Sequence, residues 1–304
     1  MGEHKLINAT IRDEPELIII VMGCQHLTKN YLLRPFLKWA GGKRQLLSEI
    51  RLYYPKRIGC YYEPFLGAGA VLFDLQPKRA LVNDVNSELI NTYRVIAHDV
   101  EALIYDLSHH RNEKEYYYQL RDLDRHEKFQ HASDIERASR IIFLNKTCFN
   151  GLFRVNSQGH FNVPYGDYKN PKIIDAVVLR AVSNYLNTHE IQLANVDFEE
   201  ALEGATQGDF VYLDPPYDPV SNTASFTGYN FNGFGRDEQI RLRSVFDDLS
   251  RRGCRVLLSN SATDFIKDLY RDYRMEIIGA VRAINSDASG RGKVDEVLVM
   301  NYDP

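Results

Sequence analysis

The chain has 304 residues, enough for one large domain or a domain with a sizeable insertion, and 44% hydrophobic with 26% charged residues describes an ordinary globular protein with a real core. Cys24, Cys60, Cys148 and Cys254 form no C-x-x-C pair and no metal-ligand spacing, which argues against a zinc site and for a reducing compartment such as the cytoplasm. A net charge of -4 does not advertise a nucleic-acid binder, so the local distribution of charge has to decide.

In chain order, "ELIIIVMG" (16–23) is apolar but too short to span a membrane, and Asp13, Glu14 and Glu16 stand where a signal peptide would carry positive charge. Met22 offers a second start, and residues 1–30 read as an N-terminal extension without an assigned role. "CYYEPFLGAGAVLFDL" (60–75) reads as strand, glycine turn and helix. "RALVNDVNSELINTYRVI" (79–96) reads as a strand ending at Asp84, then an amphipathic helix capped by Asn86 or Ser87. Further strands are expected in "GDFVYLDPPY" (208–217), "GCRVLLSNS" (253–261) and "VDEVLVMNYD" (295–303), with a helix over 236–252. Strands feeding helices predict a doubly wound α/β sheet.

Between about 97 and 190 the strand rhythm stops. Helical, tyrosine-rich stretches surround the loop-like "NKTCFNGLFRVNSQGHFNVPYGDYKNPK" (145–172). We therefore expect a catalytic domain from 31–97 and 190–304, interrupted by a mostly helical domain over 98–189.

Two stretches carry chemistry. In "EPFLGAG" (63–69), Gly67 and Gly69 fall where a strand turns into a helix, and Asp84 ends the next strand, where α/β folds place an acid on a ribose. Leu72 occupies the third position of G-x-G-x-x-G, so the dinucleotide fingerprint fails. A plain strand–helix turn fits the glycines equally well; Asp84 favours a nucleoside ligand without a pyrophosphate. The second is Asp214-Pro215-Pro216-Tyr217 at the end of an apolar strand. An exocyclic amine of a base is a poor nucleophile because its lone pair is delocalised into the ring. Two acceptors on its two hydrogens, the Asp214 carboxylate and the Pro215 carbonyl, would direct that lone pair. Prolines hold the carbonyl rigid, and Tyr217 offers a face for an unstacked base. The partner must be an already activated electrophile such as a methyl sulfonium, with no metal required.

These motifs resemble those of Dam-type adenine-N6 DNA methyltransferases, close to the DpnM-like modification enzymes of GATC-specific restriction systems. The resemblance runs from about Phe36 to Tyr302, through "FLKWAGGK", "EPFLGAG", "NDVNSELI", "CFNGLFRVN", "FNVPYGDYKNPK", "DPPYDP" and "VDEVLVMNY". The order of glycine turn, insertion and D-P-P-Y resembles the α group, whose insertion recognises the target. The resemblance implies S-adenosylmethionine as methyl donor, with Trp39, Lys43, Phe65, Gly67, Gly69, Asp84 and Asp214 around it and Asp197-Phe198 at its adenine. Taken alone, Trp39 also suits a core and Lys43 a solvated helix start.

Arg137, Arg140, Lys146, Arg154, Lys169 and Lys172 face only Asp167 between 137 and 172, a basic patch suited to phosphates. The resemblance implies that Lys38 and Arg154 read guanines, that Leu152 and Pro164 touch bases, and that Phe149 wedges into the duplex beside Asn150. Phe149 and Leu152 equally suit a domain core. The target adenine would be flipped out of the duplex. "SNTASFTGYNFNGFG" (221–235) is expected to close over it, while Arg291 and Lys293 suit either a phosphate or a solvated hairpin tip.

The implied partners are duplex DNA containing GATC and, functionally, a cognate restriction endonuclease; no membrane is involved and a monomer working twice suits a palindromic site. Rival readings remain. The same chemistry could serve cytosine N4, RNA adenine or a protein glutamine, although aspartate at 214 favours adenine. Carbon-5 cytosine chemistry is disfavoured because no cysteine follows a proline. A nicotinamide oxidoreductase is opposed by Leu72, and a non-catalytic DNA-binding protein by the intact D-P-P-Y and Lys43.

Overall fold

Short apolar runs form the centre of a seven-stranded sheet. In the computed structural model, which describes residues 29–39, 41–219, 234–281 and 293–304, the strands are β1 (Tyr61–Glu63), β2 (Arg79–Asn83), β3 (Glu190–Ala194), β4 (Phe210–Leu213), β5 (Arg255–Ser261), β6 (Arg274–Val281) and β7 (Lys293–Met300). Their order is β3-β2-β1-β4-β5-β7-β6, and the stretch from Tyr31 to Pro304 is one compact unit. β1 pairs in parallel with β2 and β4, β2 with β3 and β4 with β5, whereas β7 runs antiparallel between β5 and β6.

Alternation along the central strands divides the interior into two layers. Tyr61, Phe210, Tyr212 and Leu257 face one core with Phe73, Leu89, Tyr93 and Tyr185. Tyr62, Val211, Leu213, Val256 and Leu258 face the other, with Leu242, Phe246, Ile266 and Tyr270. Between β1 and β4 the chain winds outward in both directions, so the crevice beyond their carboxyl ends is the topological switch point where open α/β sheets bind ligands.

The helices are α1 (Leu47–Ile50), α2 (Ala70–Leu75), α3 (Ser87–His98), α4 (Val100–Leu107), α5 (Lys114–Asp122), α6 (Asp134–Thr147), α7 (Ala176–Thr188), α8 (Arg236–Arg251) and α9 (Asp264–Leu269). Asn86 is the residue that caps α3, accepting the Leu89 N–H at 3.0 Å. Ser133 and Glu136 exchange the two hydrogen bonds of a capping box at α6. α6 and α7 pack on α3, and Tyr117, Phe143, Leu144, Cys148, Phe161 and Val163 form a small separate core beneath the loop that follows α6.

The sequence reading omits β3 and β6. Both are edge strands with one neighbour each. The polar Glu190 and Gln192 of β3 stand exposed, so no continuous apolar run marks it. Residues 1–28, the segment 221–233 and Arg291 lie outside the described residues, as does the Lys293 side chain. Among the described residues no helix is long and apolar enough to cross a membrane. The sheet order with its one reversed strand is that of a class I S-adenosylmethionine-dependent methyltransferase.

Candidate active site at the carboxyl ends of the strands

Asp214 follows β4 directly and its side chain is 18% exposed. Lys43, only 3% exposed, reaches it from the other side of the crevice: its ammonium lies 2.7 Å from Asp214 Oδ1 and 2.6 Å from the Gly41 carbonyl. The same ammonium stands 4.7 Å from the centre of the Tyr217 ring. Burial pushes Asp214 up to about 6, against the opposing pull of Lys43, and the Glu296 charge adds to the rise. Above that pH the carboxylate is an acceptor only.

The two prolines differ in what their carbonyls do. Gln239 Nε2 donates to the Pro216 carbonyl at 2.8 Å, and Gln239 Oε1 accepts from Asn260 Nδ2 at 3.1 Å. Among the described residues no donor reaches the Pro215 carbonyl. Beyond the motif, Asn260 Oδ1 accepts the Asp218 N–H at 3.1 Å, and the Ser261 hydroxyl donates to the Asp218 carbonyl. Tyr217 donates its hydroxyl to Glu296 Oε2 at 2.8 Å. The turn is thus fastened from α8, β5 and β7, while the Pro215 carbonyl meets no donor among the described residues and the Asp214 carboxylate keeps acceptor capacity beyond its bond to Lys43.

Beside it lies a second recess. Asp84 accepts the N–H groups of Gly67 and Asn86, each at 2.9 Å. It has no cationic partner among the described residues, and each oxygen keeps a lone pair for a further donor. Burial raises its pKa and the two backbone bonds oppose that rise. Gly67 adopts φ 50°, and a Cβ there would stand 2.9 Å from Trp39 Cδ1, so the turn passes flat against the tryptophan. Trp39 in turn stacks on Phe153, centroids 4.8 Å apart, and both pack against the margin of the first core, which places Trp39 between the glycine turn and the loop after α6. Gly69 leads into α2, and Phe65 packs on the buried Phe198 at 5.4 Å. Asp197 is exposed and pairs with Arg241, whose guanidinium lies 4.3 Å from the Phe198 ring centre. An acid ready for two hydroxyls, a flat glycine wall and an aromatic rim fit a nucleoside-bearing ligand such as S-adenosylmethionine.

A third group lies on the loop after α6. Phe149 is 49% exposed, and its N–H donates to the Pro164 carbonyl at 2.8 Å. Pro164, Lys38 and Arg154 are exposed, while Asn150 and Leu152 are half-buried, Leu152 against the small core. Asn145 ties the Lys38 backbone to this loop: Lys38 N donates to its Oδ1 at 2.9 Å, and its Nδ2 donates to the carbonyls of Lys38 and Gly151 at 2.7 and 3.0 Å. Asn162 orients Arg154, accepting from its Nε at 2.7 Å.

The sequence reading passes over Glu63, Gln239, Asn260, Glu296 and Asn162. Glu63 is 2% exposed at the end of β1, and burial holds it well above the carboxylate range, with the Tyr61 hydroxyl 2.9 Å away. An acid closing an apolar strand is a signal the sequence does contain. The partners of Pro216 and Tyr217 come from helices and strands far along the chain, and nothing local announces them.

The fold and the D-P-P-Y crevice together define a methyltransferase acting on amino groups. The D12 class N6 adenine-specific DNA methyltransferase pattern matches residues 39–284, and the chain belongs to that family. It is 47% identical over 279 residues to the type II methyltransferase M1.LlaDCHI of Lactococcus lactis subsp. cremoris, covering 91% of this chain and 98% of that one. It is 43% identical over 290 residues to the type II methyltransferase M.MjaIII of Methanocaldococcus jannaschii, covering 89% and 99%. A DNA adenine methylase of Escherichia coli is 34% identical over 276 residues, covering 89% and 96%. Membership implies S-adenosylmethionine as methyl donor and DNA as substrate.

Proposed function

We propose that the protein methylates adenine N6 within duplex GATC as the modification partner of a restriction endonuclease, by flipping the base and transferring the methyl group directly in line. The motif order is that of the α group, with 98–189 as the recognition unit, and a cytoplasmic monomer visits the two adenines of the site in turn. The observation that carries the chemistry is a pair of acceptors on one turn, the Asp214 carboxylate held by Lys43 with acceptor capacity to spare and the Pro215 carbonyl without a donor among the described residues, while Pro216 and Tyr217 are already bonded.

When bound, S-adenosylmethionine supplies a methyl group on a positively charged sulfur. Asp84 takes its ribose hydroxyls, Trp39, Phe65, Gly67 and Gly69 wall the recess, and Asp197 and Phe198 lie at its adenine. Lys43 keeps Asp214 ionised, which lets the carboxylate accept from the target amine alongside the Pro215 carbonyl. Attack leaves the nitrogen with an extra proton, and Asp214 is the nearest base to receive it. Pro216 stiffens the turn and Tyr217 stacks on the flipped base. Lys38 and Arg154 read guanines, Leu152 and Pro164 touch bases, and Phe149 with Asn150 fills the space the adenine leaves; the exposure of Phe149 supports this.

The test uses labelled S-adenosylmethionine and two duplexes of identical composition, one with GATC and one scrambled. Label recovered as N6-methyladenine only from the GATC duplex is the expected result. Equal label in both retains the chemistry and removes the site; label in RNA or in cytosine alone would replace the reading.

A further inference from the structure

The basic run between 137 and 172 is not one surface. Arg137 is spent on Glu88, and Arg140, 3% exposed, is spent on Asp124 at 2.8 Å and on the carbonyls of Leu120 and Arg121. Neither is available to an outside anion. The other end of the run is different. Lys172 Nζ and Arg34 NH2 converge on a single oxygen, Asp175 Oδ2, at 2.7 and 2.9 Å. Lys146, in the last turn of α6, is half-buried next to the same group and faces Asp175, Lys38, Lys172 and Arg34. Among the described residues no carboxylate or carbonyl accepts from its ammonium.

Two cations therefore share one carboxylate oxygen, and Lys146 stands beside them with Lys38 close to it. Such an arrangement is electrostatically short of negative charge, and burial pushes the Lys146 ammonium down to about 8. Its position says which anion completes it. Asn145, the residue before Lys146, clasps the Lys38 main chain and the Gly151 carbonyl, so the cluster adjoins the exposed loop of Phe149, Asn150 and Pro164. The neutralised arginines lie earlier on α6, away from that turn.

We propose that Arg34, Lys146 and Lys172, gathered by Asp175, bind one backbone phosphate of the duplex and so fix its register on the recognition loop. The proposal rests on the reading of the chain as an enzyme of duplex DNA. Asp175 holds Arg34 and Lys172 in place before binding; Lys146 is the deeper donor that an incoming phosphate oxygen satisfies. A phosphate contact carries no base information, so the site sets affinity and alignment rather than sequence choice.

The experiment measures binding of the full chain to GATC and scrambled duplexes by fluorescence anisotropy across a potassium chloride series. Lys146→Gln and the exposed Lys172→Gln should each flatten the slope of log Kd against log salt, by up to the roughly 0.9 that one lost phosphate contact accounts for, equally on both duplexes. A set of duplexes with one uncharged methylphosphonate each then locates the contact. One position should weaken wild-type binding and have no effect in Lys146→Gln. Unchanged slopes in both variants, or no position that falls silent, would overturn the site. Inorganic phosphate at matched ionic strength is the free-anion arm: wild-type saturation by it with unaltered duplex slopes in the variants would assign the site to a free anion and reject the duplex contact. If wild type binds both duplexes equally, the GATC reading fails while the slope comparison still judges this site.

Discussion

The Lys43 ammonium lies 2.7 Å from the Asp214 carboxylate, joining the turn at Lys43–Gln45 to the D-P-P-Y turn through a single ion pair. Removing one partner of a buried pair leaves an uncompensated charge, at a cost on the order of 3–5 kcal/mol, unless the remaining group neutralises itself. Asp214 has that option, since burial already brings it to about 6. A carboxylate accepts from the amine only when ionised, so wild-type kcat/KM should fall as pH drops through about 6. Lys43→Met takes away the charge that lowers the Asp214 pKa and should move this acid limb upward by about 1–3 pH units. A pH–rate profile at saturating S-adenosylmethionine checks it; an unmoved limb would separate Lys43 from Asp214 ionisation.

Glu296 acts on the same carboxylate with the opposite sign. Its charge raises the Asp214 pKa, and its Oε2 accepts from the Tyr217 hydroxyl at 2.8 Å. Glu296→Gln keeps an acceptor for Tyr217 and removes the charge, so the acid limb should move down with kcat nearly preserved. Glu296→Ala also frees the ring and should lower kcat roughly 10- to 100-fold through misalignment, with KM for cofactor unchanged. In a Tyr217→Phe background the alanine effect should shrink, because the bond it breaks is already gone.

These partners explain what the sequence could and could not reveal. Asp214, Asp84 and the glycine turn were legible because each ends an apolar strand, and strand ends of a parallel sheet meet in one crevice. Glu296 was not, since β7 reaches the crevice only by running antiparallel to β5, pairing Glu296 with Ser261. Trp39 needed the structure for another reason: a tryptophan in a short loop suits many environments, and only Gly67 and Phe153 on its two sides define its place. The basic run shows the limit of counting charge along a chain. Arg137 and Arg140 lie on the faces of α6 that meet Glu88 and Asp124, and helical geometry, not sequence spacing, decides that.

Gly67 offers a test of the cofactor recess that leaves the D-P-P-Y turn intact. Gly67→Ala places a methyl group 2.9 Å from Trp39 Cδ1 and forces an L-residue to φ 50°, a strain of about 1–2 kcal/mol before the clash is counted. S-Adenosylmethionine binding by equilibrium dialysis should weaken by roughly tenfold or more, while the salt slope for DNA stays at the wild-type value. Unchanged cofactor affinity with lost DNA binding would move the recess to the wrong ligand.

Arg154 is the sharpest probe of base reading because its guanidinium is exposed yet oriented, with Nε 2.7 Å from Asn162 Oδ1. A guanidinium held in one plane can meet guanine O6 and N7 together, a contact worth about 1–3 kcal/mol of discrimination. Arg154→Ala should therefore reduce the preference for GATC over a duplex altered at one guanine by roughly 5- to 150-fold in kcat/KM. Asn162→Ala keeps the charge but frees the side chain, so it should lose part of that preference while retaining the wild-type salt slope. Methylation rates on the two duplexes, measured for each variant, check both statements. A preference that survives Arg154→Ala intact would take guanine reading away from Arg154 and leave Lys38 as the remaining donor on that face.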